Sequence, residues 1–402
     1  MQRHNPPRNG PRDLPRDIWA LGLVSLFMDV SSESIHALLP VFLVTVLGAG
    51  TLTVGAIEGV GEATAAFAKL GSGWLSDRLG RRKVLAVAGY GLGALSKPIF
   101  ALAPTPGWVF LARFSDRLGK GIRGAPRDAL VGDLTPADRK GAAYGLRQSL
   151  DTVGAFLGPL LAMGLMAALD NDFRAVFWIA LIPGLVAVGI LAVAVHEPRA
   201  RRGSPGPPPV RWGQLARLGK PFWGVVGVAT VLTLARFSEA FLVLRARDQG
   251  LPLALVPLVL IVMNVVYALT AYPAGARSDR TGKRGLLAAG FAALLAADLA
   301  LAFAPGLALT MTGIALWGLH MGLTQGLLAA LVAATAPEGL RGTGFGIFHL
   351  VTGMAVLGAS LIAGGLWEVA GPAATFLAGA GLTALGMAGL AVLPGRGEDA
   401  GP

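Results

Sequence analysis

Gly73-Trp74-Leu75-Ser76-Asp77-Arg78-Leu79-Gly80-Arg81-Arg82-Lys83 closes a long apolar run, and a near copy of it returns 202 positions later. The copy reads Gly275-Ala276-Arg277-Ser278-Asp279-Arg280-Thr281-Gly282-Lys283-Arg284. A second pair repeats at an offset of 201: Lys140-Gly141-Ala142-Ala143-Tyr144-Gly145 against Arg341-Gly342-Thr343-Gly344-Phe345-Gly346. Two motifs at nearly one offset divide the chain into two related halves. The rest is overwhelmingly apolar: 54% of the 402 residues are hydrophobic and 14% charged, with a mean hydropathy of +0.63. Soluble domains carry roughly a quarter charged residues. This composition excludes a soluble enzyme and a disordered chain, and the absence of cysteine excludes a disulfide scaffold and a thiolate metal site.

Working outward from the repeats, apolar runs recur at about 18–47, 53–76, 84–104, 107–131, 141–169, 174–195, 221–245, 253–276, 285–304, 308–335, 343–367 and 371–393. A spanning helix needs about 20 apolar residues, so twelve crossings fit. The runs are rich in Ala, Gly and Leu, which let helices approach closely, and lack the alternation of barrel strands. The expected fold is an all-α membrane protein of twelve transmembrane helices in two pseudo-symmetric six-helix bundles. The bundles occupy 18–196 and 221–394, with tails at 1–17 and 395–402. Asp29, Ser31, Ser32 and Glu33 interrupt the first run, which reads as a retained helix rather than a cleaved signal.

Charge follows the same plan. Loops near 48–53, 104–107 and 304–307 carry no Lys or Arg, whereas the alternate loops carry Arg78, Arg81, Arg82, Lys83, Arg139, Lys140, Arg280, Lys283, Arg284 and Arg341. With Arg3, Arg8, Arg12 and Arg16 in the first tail, the positive-inside rule places both termini in the cytoplasm of a multi-pass plasma-membrane protein. The Pro/Arg-rich stretch 197–220 then reads as a cytoplasmic linker. Most of the net charge of +11 is topology, so no nucleic-acid partner is expected.

The signature Gly-x-Leu-x-Asp-Arg-x-Gly-Arg-[Arg/Lys], met by Gly73 to Arg82, resembles the cytoplasmic loop of the major facilitator superfamily, and the resemblance covers essentially the whole chain. It implies a monomeric secondary transporter without cofactor or metal, whose halves rock about a substrate site between them. It also implies a gate formed by Gly73, Asp77, Arg78, Gly80 and Arg81, echoed by Asp279 and Arg280. The second copy departs from the pattern, with Arg277 in place of leucine. Gly154-Ala155-Phe156-Leu157-Gly158-Pro159 on the fifth run resembles the family's antiporter stretch in part, and its four-residue glycine spacing equally suits helix packing. Arg117-Leu118-Gly119-Lys120-Gly121 resembles the fourth-helix motif Arg-x-x-Gln-Gly, which implies a proton-transfer role for Arg117.

Ionisable residues in spanning helices rarely face lipid, so each is a functional candidate. On the fourth run Arg113, Asp116, Arg117, Lys120, Arg123, Arg127 and Asp128 share an arc of roughly 140°. Asp29 and Glu33 stand four apart on the first run with His36 near the same face, Glu58 and Glu62 four apart on the second, and Arg147 and Asp151 four apart on the fifth. Arg113, Arg117, Lys120, Arg123 and Arg147 thus face six carboxylates: Asp29, Glu33, Glu58, Glu62, Asp116 and Asp151. A structural salt-bridge network and a titrating carboxylate are both open readings. For proton coupling the candidates are Asp29, Glu33, Glu58, Glu62, Arg117, Arg147 and Asp151. The C-terminal half is barer. Arg236 and Glu239, three apart, are expected to pair, and Asp298 stands alone on the ninth run. The cavity candidates are Arg113, Lys120, Arg123, Arg236, Glu239, Asn264, Tyr267, Trp317, His320 and Gln325. His320 and His349 lack partners at ligand spacing and read as hydrogen-bonded core residues.

The expected function is proton-coupled efflux, by antiport, of a small organic or amphiphilic solute. Proton-coupled uptake of an anion is the alternative that the basic stripe favours. A membrane-embedded enzyme would need an acid–base or nucleophilic constellation that the sequence does not offer. A non-transporting sensor on the same scaffold would need a signalling domain, and the short tails leave no room for one.

Overall fold

In the computed structural model, which describes residues 14–136, 139–197, 218–281, 283–337 and 340–392, twelve long helices follow one another. They are α1 (Arg16–Val46), α2 (Thr51–Leu79), α3 (Arg82–Leu102), α4 (Pro106–Leu134), α5 (Lys140–Ala168) and α6 (Phe173–Ala194) in one bundle. α7 (Lys220–Asp248), α8 (Leu258–Thr281), α9 (Lys283–Ala302), α10 (Leu307–Thr335), α11 (Arg341–Ala370) and α12 (Pro372–Val392) form the other. Among the described residues, nine spans are long and apolar enough to cross a membrane on composition alone. α2, α4 and α12 are not among them, and α2 and α4 carry much of the charge of the site.

The first helix of each bundle is interrupted at a corresponding level. α1 is regular to His36, resumes over Leu39–Val41 and finishes as a π turn over Phe42–Val46. α7 is regular over Lys220–Ala235 and again over Ala240–Asp248, with Arg236 out of helical geometry between them. The break removes the three-residue helical register between Arg236 and Glu239, and the two do not form the ion pair that spacing predicts. At the end of α2, Gly80 adopts φ +61° and its N–H bonds back to Ser76 O, a left-handed helix stop that explains the glycine of the loop signature.

Glycine seams set the helix spacing. A Cβ on Gly154 would stand 2.5 Å from Leu26 O, and one on Gly158 would stand 2.8 Å from Glu33 Cβ, so α5 lies directly on the polar face of α1. Ser34 Oγ completes that seam by donating to Gly158 O at 2.9 Å. The fifth-helix glycines are therefore packing elements, placed against the two carboxylate positions of α1.

Among the described residues, apolar packing runs across both bundles on the side away from the termini. There one cluster joins Leu39, Phe42 and Ile57 of the first bundle to Phe241, Leu242 and Trp317 of the second. On the terminus side the packing splits. Ile18, Met28, Tyr90 and Leu191 form a cluster of the first bundle, while Phe222, Val226 and Val332 form a separate one in the second. Across the far side, Thr51 Oγ1 donates to Gly364 O at 3.0 Å, and Leu52 N–H donates to Glu368 Oε2 at 3.2 Å. The bundles are closed at the far side and part toward the termini except along α2 and α11, where a Cβ on Gly353 would stand 2.8 Å from Ala66 Cβ and one on Gly346 2.8 Å from Leu70 Cδ2.

Candidate functional site

α4 is where the charges meet, because its polar arc faces α2, α3 and α1 in turn. At the far-side end Arg113 pairs with Glu58 of α2, and His36 of α1 bridges Glu33 (3.3 Å) and Glu58 (3.5 Å). One turn along, Asp116 accepts from Lys97 Nζ of α3 at 2.7 Å, and the same ammonium reaches Ser32 Oγ of α1 at 3.0 Å. Arg117 pairs with Glu62 at 3.3 Å. Nearer the termini Arg127 contacts Asp128 (3.0 Å), Asp151 of α5 (3.8 Å) and Ser25 Oγ of α1 (3.4 Å). Arg147 joins Asp151 at 3.5 Å and Gln148 Oε1 at 2.6 Å.

Between these levels the ladder changes character. Among the described residues, no carboxylate oxygen lies within 4.0 Å of Lys120 or Arg123. Arg123 is 4% exposed, lays its guanidinium 4.5 Å from the Tyr90 ring centroid, and buries Nη1 without a hydrogen-bond partner. Lys120 is exposed, and what it is exposed to is a cavity of about 530 Å³ between the bundles.

The first bundle lines that cavity with Asp29, Glu62, Lys69, Lys120, Arg123, Arg127 and Asp151. The second contributes Thr233, Arg236, His320, Thr324, Gln325, His349 and Thr352. The volume suits a small organic solute. Of the three lining carboxylates, Glu62 is held by Arg117 and Asp151 by Arg127 and Arg147, while Asp29 has no ion pair within 4.0 Å among the described residues. Asp29 lies within electrostatic reach of Asp151, Lys120 and Arg123. Across the cavity Arg236 is likewise without a carboxylate partner among the described residues. His320 donates from Nδ1 to Gly290 O at 2.9 Å, which leaves Nε2 as an acceptor with no partner.

The sequence-derived candidates separate into two groups. Asp29, Glu62, Lys120, Arg123, Asp151, Arg236, His320 and Gln325 line the cavity. Glu33, Glu58, Arg113, Arg117 and Arg147 lie behind it in the ion-pair ladder. Trp317 is fully buried among Phe237 and its neighbours, 5.4 Å between ring centroids, and does not line the cavity. Glu239, Asn264 and Tyr267 also stand outside the lining. Of the gate residues, Gly73 lies nearly two turns before the end of α2, Gly80 caps that end, and Arg78 stacks on Trp74 at 5.2 Å. Arg81 begins α3 as its N-cap. The side chains of Asp77, Asp279 and Arg280 lie outside the described residues, as does 198–217 of the linker.

Two residues that spacing did not single out belong to the site. Lys97 is the counter-charge of Asp116, and its signal was a lone ammonium deep in the third apolar run beside Pro98. Lys69 lines the cavity seven residues, two helical turns, after Glu62 on the same face of α2. Among the described residues no three His, Asp or Glu side chains converge as a metal site.

The sequence profile of the Major Facilitator Superfamily matches residues 21–353 and 239–401. An uncharacterized MFS-type transporter of Methanocaldococcus jannaschii is 30% identical over 388 residues, 94% of each chain. An uncharacterized protein of Mycobacterium tuberculosis is 29% identical over 364 residues, 88% of this chain and 87% of its own. Among solved structures, the nucleoside transporter NupG superposes with a TM-score of 0.78 at 14% identity, over 94% of this chain and 100% of that one.

Proposed function

The chain belongs to the major facilitator superfamily, a family of membrane transporters and not enzymes, and from that premise we propose that it is a proton-coupled exporter of a small organic solute. One observation carries the coupling. Among the described residues, Asp29 is the cavity-lining carboxylate without an ion-pair partner, set beside Asp151 on a seam where α5 rides on α1. When the bundles rock, the opposite wall, with Arg236, moves relative to Asp29, while Gly154 and Gly158 hold α5 and Asp151 fixed beside it, so access and protonation change together. Charge distribution supports placing both termini in the cytoplasm of the plasma membrane. The cavity drawn here then faces inward, ready to load an outgoing solute. The geometry needs only one chain, which supports a monomer.

Reconstituted vesicles with a trapped pH dye test this reading. Adding a transported solute outside makes the lumen alkaline under antiport, because protons leave as solute enters. Under the second reading, proton-coupled uptake, the lumen turns acid; the unpaired cations favour that arrangement. Asp29→Asn is expected to abolish solute-driven proton movement while solute–solute exchange continues. Full proton flux in that variant would overturn the assignment.

A further inference from the structure

The cations of the cavity wall are not all balanced by the carboxylates around them. Arg127 and the ladder behind it are paired, but Lys120 and Arg123 on α4 and Arg236 at the break of α7 have no carboxylate within 4.0 Å among the described residues. Arg123 is 4% exposed with Nη1 unpartnered, a costly state for a buried guanidinium. Arg236 sits where helical geometry is lost, which frees its side chain from the register of α7 and lets it line the cavity opposite α4. Thr324, Gln325 and Thr352 add neutral polar groups to the same wall. A solute bringing its own negative group supplies what this wall lacks.

We infer that the transported solute is an anion, a carboxylate, sulfonate or phosphate on a small organic body, held between Lys120 and Arg123 of the first bundle and Arg236 of the second. The inference rests on the transport reading but not on its direction. Asp29 sets the pH dependence. It is faced by Lys120 and Arg123 from α4, by Asp151 from α5 and by Glu33 from its own helix. Ionised, Asp29 competes with the solute for Lys120 and Arg123; protonated, it leaves both cations to the solute. Because the clamp spans both bundles, an anion bound there draws α4 and α7 together on the terminus side, the movement that closes the inward face.

The natural chain has no cysteine, so a single probe thiol can be placed directly. Gln325→Cys puts it on the cavity wall, at a side chain that holds no hydrogen bond among the described residues. Its modification rates by the anionic sulfonatoethyl and the cationic trimethylammonioethyl methanethiosulfonates are compared as a ratio, normalised to a free thiol. The anionic reagent is expected to be favoured on the order of tenfold or more. The preference should fall in Lys120→Gln and Arg236→Gln, both at exposed or half-buried positions that tolerate the change. Raising the pH should lower the ratio, and Asp29→Asn should remove that dependence. A ratio near one, or a preference for the cation, overturns the anion site. The assay reads the cavity and needs no transport. A failed ratio with intact proton flux therefore removes the anion alone, and a positive ratio without flux removes the transport reading alone.

Discussion

Lys97 holds an ammonium at 1% exposure inside the first bundle, where desolvation costs several kcal/mol unless a partner offsets it. Asp116 at 2.7 Å and Ser32 at 3.0 Å are those partners, and they tie three helices to one point. Lys97→Met leaves the Asp116 carboxylate alone and should destabilise the protein by about 3–5 kcal/mol, read as a lower unfolding temperature in detergent. Lys97→Met combined with Asp116→Leu should recover most of that loss, which a purely steric role for Lys97 would not allow. The same pair shows what spacing reveals and what it conceals. Asp116 was legible because α4 repeats its charges at three and four residues, a pattern within one helix. Its partner comes from another helix, whose azimuth no spacing along α4 encodes. Lys97, Lys69 and Arg127 join the five cations counted along the sequence, so the site holds more cations than that count.

At the level of helices, the contact between α5 and α1 has no slack. Gly158 faces Glu33 Cβ, Val30 O and Ser34 N, all within about 3.1 Å of where a Cβ would stand. Gly158→Val is expected to cost about 1–3 kcal/mol by overpacking and to impair proton-coupled flux more than solute exchange. Equal loss of both would show that the seam only holds the fold. The glycine spacing was readable from sequence, and so were the twelve spans, because each depends on local composition. The break of α7 was not. Arg236, Phe237, Ser238 and Glu239 include neither proline nor glycine, and the run reads as continuous. What holds the break open is packing from elsewhere: Phe237 lies 5.4 Å from Trp317 and 5.5 Å from Phe376 and Phe241. α1 is interrupted at the matching level, and there Pro40 marks the place.

Across the whole molecule, the single apolar cluster on the far side and the divided clusters near the termini describe one of two end states. Reaching the other requires α2 and α11 to part at the far side. A Cβ on Gly364 would stand 2.6 Å from Thr51 O and 2.8 Å from Leu52 Cα, so any side chain there forces the two helices apart at the far side. Gly364→Leu should therefore favour the other end state, read as faster modification of Ser360→Cys, buried beside Gly55 in that contact, by a membrane-impermeant thiol reagent. An unchanged rate would mean that the bundles need not separate there. The position of the cavity between halves was legible from the repeat. Its openness toward the termini was not, since two conformations share one sequence.

Glu368 acts as a helix cap. Its carboxylate accepts the Leu52 N–H in the first turn of α2, yet it belongs to α11 of the other bundle. α2 begins at Gly50, which has no side chain to do that work, and a Cβ there would stand 2.7 Å from Glu368 Oε2. The helix thus borrows its N-terminal cap across the moving interface, an interaction of about 0.5–2 kcal/mol. Each turnover must uncap α2 and hand its first N–H groups to water, then take the cap back. The fraying of a single helical turn is therefore built into the cycle as its far-side latch.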